Sequence, residues 1–169
     1  MANSVKIQDA ALQKAAGEGM DAFIKVFTDE YLKVIGGEVT AETMPLLNGY
    51  QHSLLGYQLL RNEVMDGGFV QLIHNGYGPY IFDNPFAKAM RLMGAKEFSK
   101  LVYKAKKMYD EHKEELVADC TDEEFMALFE RFECFDDCDD EFIEMEEEVT
   151  ETLAVYVDEH LDDFAEIVK

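Results

Sequence analysis

A glycine pair, Gly67-Gly68, interrupts the longest helical pattern of the sequence and constrains the fold more than any other feature. Before the pair, apolar residues recur at every third or fourth position: Leu46, Leu47, Tyr50, Leu54, Tyr57, Leu60 and Val64. After it, Phe69, Leu72 and Ile73 form a short apolar face. Because glycine tolerates the left-handed conformation and close backbone contact, we expect the helix to stop here. Either Gly67 then has a positive φ, or Gly68 lies against another helix.

Two amide side chains follow the glycine pair. Gln71 and Asn75 are four positions apart, so a helical turn places them on one face. Amides both donate and accept hydrogen bonds, which suits free backbone groups at neighbouring helix ends. No nucleophile is paired with a base between Glu63 and Gly78, so the pattern favours a structural role over catalysis. The structural motif comprises Gly67, Gly68, Phe69, Gln71 and Asn75.

The rest of the chain also has helical periodicity. Apolar stripes run over residues 20–34, 95–109 and 139–168, and Thr121 with Glu124 has the spacing of a capping box. No segment alternates like a strand, no long repeat occurs, and no linker is long enough to divide the chain. We predict one all-α domain over residues 1–169, a bundle of about seven helices without a significant sheet. The first four residues are expected to form a loose end.

The charge is distributed very unevenly along the chain. Residues 1–108 carry 12 basic and 11 acidic side chains, a net charge of +1. Residues 109–169 carry 3 basic and 25 acidic side chains, a net charge of −22. Such a field argues against nucleic acid and anionic membranes as direct partners of the acidic half. It favours a basic protein surface, cations, or solubility alone.

The candidate partner-binding residues lie in a segment, Phe132 to Val168, that contains neither lysine nor arginine. They are Asp136, Asp137, Asp140, Glu144, Glu147, Glu148, Glu151, Asp158 and Asp162. Like charges four positions apart cost a helix about 0.2–0.5 kcal/mol each, so stability alone does not select this pattern. If residues 136–166 formed one helix, about 46 Å long, its 15 carboxylates would be spaced about 3 Å apart, near the ~3.4 Å phosphate rise of a DNA strand. The alternative is a solvated face, and charge alone favours neither.

The sequence predicts no metal, no cofactor and no catalytic residue. The segment from Asp137 to Glu148 resembles a calcium loop only in part, because Phe142 occupies the position that requires glycine. Cys134 and Cys138 lack a second pair of ligands, and the four histidines are scattered. Three cysteines, with no signal peptide or membrane-spanning stretch, indicate a cytoplasmic protein without a membrane partner.

Lysines also form a stripe on the polar side of the helix predicted after Gly94. They are Lys96, Lys100, Lys104 and Lys107. This cationic stripe is either a solvated face or a counterpart of the acidic half, within the molecule or across a dimer.

The segment Glu63…Gly67-Gly68-Phe69-x-Gln71-x-x-x-Asn75-Gly76 resembles the signature of a family of small bacterial proteins named after a nineteen-kilodalton DNA-mimic protein. The resemblance covers about residues 46–109, and residues 110–169 form the acidic helical half. Asp66 replaces the asparagine usual in the family, and Leu72 replaces the usual aromatic residue.

The resemblance implies an all-α fold and a dimeric, acidic, non-enzymatic decoy for the DNA-binding surface of a transcription factor. We therefore expect a DNA mimic that binds a basic DNA-binding partner, with a homodimer as the implied assembly. The alternative is a soluble cytoplasmic protein with a small ligand or enzymatic site, in which Gln71, His74 and Asn75 line a pocket. Mimicry depends on surface carboxylates outside the motif, so the motif transfers fold better than function.

Overall fold

The computed structural model describes residues 5–169, and the all-α fold class is confirmed. In the described residues the α-helices are α1 Asp9–Glu18, α2 Met20–Ile35, α3 Gly49–His74, α4 Gly78–Phe82, α5 Phe86–Leu92, α6 Lys96–Val117, α7 Asp122–Arg131, α8 Asp136–Glu159 and α9 Leu161–Phe164. Two short 3-10 turns cover Met44–Leu46 and Glu133–Phe135. Two three-residue strands, β1 Lys6–Gln8 and β2 Glu166–Val168, pair in parallel. The expected loose end, Met1 to Ser4, lies outside the described residues.

Contacts group the described chain into two units. Unit 1 contains the chain up to Gln58 together with Glu148–Lys169, and unit 2 contains Leu59–Glu147. Each unit has its own buried apolar residues, described in turn below.

Unit 1 is built around α2 and the parallel strand pair. The apolar face of α2 buries Phe23, Phe27 and Tyr31, and the helix ends at Gly36, which has a left-handed φ of 71°. The strand register places Ile7 opposite Ile167. Burying these faces removes apolar surface from water, which stabilises the fold by about 25 cal/mol per Å². The pairing with β1 holds β2, the strand that follows α9.

Unit 2 is built around α6, which buries one face and exposes the other. Phe98, Leu101 and Ala105 are buried, and the Ser99 hydroxyl donates to the Ala87 carbonyl of α5 at 2.6 Å. The capping box predicted at Thr121 is confirmed, since its side chain accepts from the Glu124 amide at 3.2 Å and the Glu124 carboxylate accepts in return at 3.3 Å.

The start of α3 differs from the periodic pattern. Pro45 lies in a 3-10 turn, and α3 begins at Gly49. Asn48 and Gln51 form a reciprocal cap, because each side chain accepts a hydrogen bond from the other's backbone amide, at 2.8 and 2.9 Å. This cap satisfies two amides that a new helix leaves unpaired, and it fixes the start of α3.

The last apolar pattern spans three elements. Helix α8 begins at Asp136, earlier than expected, and ends at Glu159, where the backbone of His160 leaves helical geometry at φ −133° and ψ 38°. The His160 ring hydrogen-bonds the Tyr156 carbonyl at 2.8 Å, one of the carbonyls that a helix end leaves unpaired. The continuous helix considered over residues 136–166 is therefore not formed, and α8 is about 36 Å long.

Candidate functional site

The glycine pair is a kink within α3. Gly68 has φ 78° and ψ −176°, and a Cβ added there would lie 2.8 Å from the Asp139 side-chain carbon of α8. The expectation that Gly68 lies against another helix is confirmed. The expected helix stop at the pair is also confirmed, because the non-helical backbone of Gly68 separates two helical segments of α3. The expectation of a positive φ at Gly67 is wrong, since of the pair only Gly68 has one. We call this position the glycine kink.

Asp139 caps the part of α3 that follows the glycine kink. In a straight helix the Phe69 amide would donate to the carbonyl four residues earlier; here it donates to the Asp139 carboxylate at 2.8 Å. The pKa of Asp139 is raised to about 6: burial raises it most, the Phe69 amide lowers it, and the charges of Asp136 and Asp140 raise it. Asp139 therefore holds the kink, a role that the sequence did not distinguish from the surrounding solvated carboxylates.

The two motif amides bridge the kink by contacting carboxylates. Gln71 donates to Glu63 at 2.7 Å and to Asp66 at 2.9 Å, while Asn75 donates to the same Glu63 oxygen at 3.1 Å. The expectation that they pair with backbone groups at helix ends is wrong for these bonds, because the kink turns both amides toward acids of the preceding turns. Their common partner confirms that Gln71 and Asn75 share a face.

His74 points away from those amides. Its Nδ1 lies 2.8 Å from the Leu116 carbonyl oxygen, and its ring centroid lies 4.7 Å from that of Phe125. The Cys120 sulfur lies 3.9 Å from the other ring nitrogen. Burial, together with the neighbouring acids, raises the pKa of the Cys120 thiol, which opposes formation of the thiolate nucleophile.

The alternative hypothesis expects a pocket lined by Gln71, His74 and Asn75. A shallow depression beside α3 is lined by Arg61, Asn62, Glu63, Met65, Asp66 and Gln71. Neither His74 nor Asn75 lines it. Within residues 5–169 no three His, Cys, Asp or Glu side chains are grouped in a way that could hold a metal ion. No helix in the described part of the chain is both long and apolar enough to cross a membrane.

All nine predicted partner-binding carboxylates are exposed. In unit 2 they are Asp136, Asp137, Asp140, Glu144 and Glu147 of α8. In unit 1 they are Glu148, Glu151 and Asp158 of α8 and Asp162 of α9. Among the ion pairs between described residues, none involves any of the nine. These side chains therefore face solvent without an ion-pair partner among the described residues.

The carboxylates of unit 2 form an aligned row. Asp136, Asp140, Glu144 and Glu147 are spaced by four, four and three residues, which places them along one face of α8. Each step rises about 4.5–6 Å along the helix axis. Cys138 and Phe142, on the same helix, are fully buried. The apolar side of α8 thus packs inward and presents the row to solvent.

Two further acids of α8 are neutralised within unit 2. Glu146 is 7% exposed and forms an ion pair with Arg61. Glu141 pairs with Lys104 at 2.9 Å, so one member of the cationic stripe contacts the acidic helix. Lys96, Lys100 and Lys107 are exposed, as expected for a polar helix face. The carboxylates on α8 are therefore of two kinds, paired ones that join helices and unpaired ones that face solvent.

An all-α fold, a glycine kink tied by amides and an exposed carboxylate row define a class of small, acidic helical proteins. Residues 46–160 match the family model described as DMP19-like protein. A protein of Neisseria meningitidis serogroup B (strain ATCC BAA-335 / MC58), named DNA mimic protein DMP19, is 35% identical over 128 residues, which cover 75% of this chain and 77% of that relative. The chain belongs to the DMP19-like family, and the resemblance seen in the sequence is confirmed.

The family match is longer than the motif suggested. The resemblance was expected over about residues 46–109, whereas the match continues to residue 160 and includes all of α8. The likeness therefore extends over the acidic helix as well as the glycine kink.

Proposed function

We propose that this protein is a non-enzymatic DNA mimic whose acidic face occupies the DNA-binding surface of a basic partner. One observation carries the proposal: the match to a family whose named relative is a DNA mimic includes α8, and α8 exposes carboxylates that have no ion-pair partner among the described residues. The nine predicted residues, from Asp136 to Asp162, are the proposed contact residues, five in unit 2 and four in unit 1.

The charge density of α8 supports the proposal. Nine of its carboxylates are exposed, namely Asp136, Asp137, Asp140, Glu144, Glu147, Glu148, Glu151, Asp158 and Glu159. Spread over about 36 Å of helix, they give about one negative charge every 4 Å, close to the ~3.4 Å phosphate rise of a DNA strand. Lys and Arg side chains that neutralise phosphates can form charge-assisted hydrogen bonds with these carboxylates instead.

The repulsion within α8 also favours a cationic partner. Like-charge pairs such as Asp136/Asp140 and Asp140/Glu144 each cost the free helix about 0.2–0.5 kcal/mol. A basic surface relieves that repulsion when it binds, and salt weakens the attraction by screening. The affinity should therefore fall as the salt concentration rises.

A DNA-binding protein such as a transcription factor is the partner that we propose. The proposal places the protein in the cytoplasm, where a bacterial partner meets DNA, and it includes a homodimer as the assembly that presents the acidic faces. The acidic half repels nucleic acid and anionic lipid, so neither is proposed as a direct partner.

The proposal is tested by capture from lysate of the source cells with immobilised protein. The test variant carries Glu144→Gln, Glu147→Gln, Glu148→Gln and Glu151→Gln. Its matched control loses the same charge outside α8, through Glu18→Gln, Glu42→Gln, Glu114→Gln and Glu123→Gln, all of which are exposed. We expect the wild type and the control to retain a basic DNA-binding protein at low salt and to release it at high salt, whereas the α8 variant retains much less. Failure of the wild type to retain any basic protein at low salt would contradict the proposal.

A further inference from the structure

Two tyrosine rings lie beside each other at the surface of unit 1. Tyr50, in the first turn of α3, is 47% exposed, and Tyr156, near the end of α8, is partly exposed. Both rings pack edge-on against Phe164 of α9, with centroid distances of 5.9 Å for Tyr50 and 6.1 Å for Tyr156. Phe164 itself is fully buried. It therefore forms the floor beneath the two tyrosines.

A carboxylate completes this group. Asp163 directly precedes Phe164, and its backbone carbonyl accepts a hydrogen bond at 3.0 Å from the side-chain amide of Asn48, two residues before Tyr50. Asp163 therefore borders the two tyrosines. Burial raises the pKa of Tyr156, and Tyr50 and Asp163 raise it further. We call Tyr50, Tyr156 and Asp163 the tyrosine patch. Asp158 and Asp162, two of the exposed carboxylates of unit 1, precede Asp163 in the sequence.

Hydrogen bonds hold the patch in place from below. The Phe164 carbonyl accepts from the Tyr31 hydroxyl at 2.7 Å and from the Gln51 amide at 3.0 Å. The Asp163 carbonyl accepts from the Asn48 amide at 3.0 Å. A patch that is ordered before binding loses little conformational freedom when a partner arrives.

One face of Tyr156 is already covered. The His160 ring stacks on it with centroids 4.0 Å apart and planes 18° apart, and His160 is held by the Tyr156 carbonyl at 2.8 Å. Within residues 5–169 no ring stacks on Tyr50 in this way, and nearly half of Tyr50 is exposed. The open ring of the patch is therefore that of Tyr50.

We propose that the tyrosine patch is the anchor for an arginine side chain of the basic partner. The inference rests on the proposed function and specifies which cation the acidic face prefers at this place. A planar guanidinium stacks on an aromatic face and at the same time donates two parallel hydrogen bonds to a carboxylate. Tyr50 supplies the face and Asp163 the carboxylate.

Charge complementarity favours a cation over an anionic ligand or a purely apolar partner at the tyrosine patch. No Lys or Arg occurs from Phe132 to Val168, so α8 and α9 offer nothing to an anionic ligand. Phenol hydroxyls and the Asp163 carboxylate at the rim would lose hydration against a purely apolar partner. Lysine is a strongly hydrated point charge without a planar fork, so it gains less from the same patch than arginine does.

The inference is tested by titrating the full-length protein with two short peptides of equal length, one of arginine only and one of lysine only. Binding is followed by the aromatic proton resonances of Tyr50 and Tyr156. The wild type should bind the arginine peptide about three- to fivefold more tightly, as expected for a cation–π contact at an exposed site. The Tyr50 resonances should shift with the arginine peptide.

The decisive variant is Tyr50→Leu, which leaves every charge in place. We expect it to remove the preference for arginine without changing the affinity for the lysine peptide. Tyr103→Leu is the matched control, since Tyr103 is a tyrosine on α6 in unit 2 that is 54% exposed, and it should keep the preference. Asp163→Asn should reduce the preference as a second, independent change.

The outcomes separate this inference from the proposed function. Equal affinity of the wild type for both peptides, or the same effect of Tyr50→Leu and Tyr103→Leu, would overturn the arginine anchor and leave the acidic mimic intact. Binding of neither peptide would contradict both, because a surface that mimics phosphates must attract cations.

Discussion

Gly68→Ala is expected to be among the most destabilising substitutions in the glycine kink. The backbone at Gly68, with φ 78° and ψ −176°, is almost restricted to glycine, and a side chain held there costs of order 1–3 kcal/mol. The new Cβ would also lie 2.8 Å from the Asp139 side-chain carbon. Asp139 would have to move and release the Phe69 amide, a hydrogen bond to a charged group worth about 1.5–3 kcal/mol.

Together these effects reduce the free energy of unfolding by about 3–5 kcal/mol, a large share of the 5–15 kcal/mol typical of a domain. Gly76→Ala is the matched control, because Gly76 has φ 90° but no atom within 4 Å of an added Cβ. The control experiences backbone strain alone. We expect Gly68→Ala to cost about 2 kcal/mol more than Gly76→Ala, the share of the hydrogen bond and the displaced carboxylate.

Urea unfolding, followed by far-ultraviolet circular dichroism, measures both free energies. Combining Gly68→Ala with Asp139→Ala should cost less than the sum of the two single changes, since the contact between them is then absent. Equal costs for Gly68→Ala and Gly76→Ala, or strict additivity with Asp139→Ala, would refute the assignment of Asp139 as the residue that holds the kink.

Two further predictions concern single interactions. A carboxyl whose folded pKa is raised to about 6 stabilises the fold below its unfolded pKa, and that contribution is lost as the pH rises through about 6. Asp139→Asn keeps an acceptor for the Phe69 amide and does not titrate. At pH 7 this variant should therefore be more stable than the wild type by about 2 kcal/mol after allowance for partial solvation. Equal urea midpoints of the variant and the wild type from pH 4 to pH 7 would contradict this. Thr121→Ala removes the confirmed capping box of α7 and should cost about 1 kcal/mol. Thr121→Ser, which keeps the hydroxyl, should restore most of that loss, and an unchanged midpoint in Thr121→Ala would argue against the cap.

The helices were predictable because their signals are local. The stripe from Met20 to Val34 and the capping box at Thr121 each depend on residues a few positions apart, and the structure confirms both. The start of α3 was missed although its signal is also local, since Asn48 and Gln51 have the spacing of a cap. The apolar pattern begins at Leu46, which instead lies in the 3-10 turn before the helix.

The position of the kink was predictable, but the residue that holds it was not. Gly67-Gly68 indicated a break in helical geometry, whereas Asp139 lies about seventy positions away among many similar carboxylates. Only tertiary contact separates Asp139, which is partly buried and bonded, from the solvated Asp140 beside it. For the same reason the sequence did not reveal the tyrosine patch, because Tyr50 and Tyr156 read as members of two separate apolar stripes.

The carboxylates that were chosen from the charge pattern face solvent. The nine residues from Asp136 to Asp162 were selected from a segment without basic residues, and all nine are exposed. Periodicity did not predict the break at His160, where a side chain bonds the end of α8. The role of the nine carboxylates in binding a partner stays a prediction.

Competition with DNA tests the central claim most directly. The basic protein captured at low salt is bound to fluorescently labelled duplex DNA, and this protein is then added while the anisotropy of the DNA is recorded. The proposed function predicts that the wild type, and the control changed at Glu18, Glu42, Glu114 and Glu123, release the DNA at similar concentrations. The variant changed at Glu144, Glu147, Glu148 and Glu151 should require a much higher concentration at equal stability. A ternary complex in which the partner holds DNA and this protein together would contradict the claim that the acidic face takes the place of DNA.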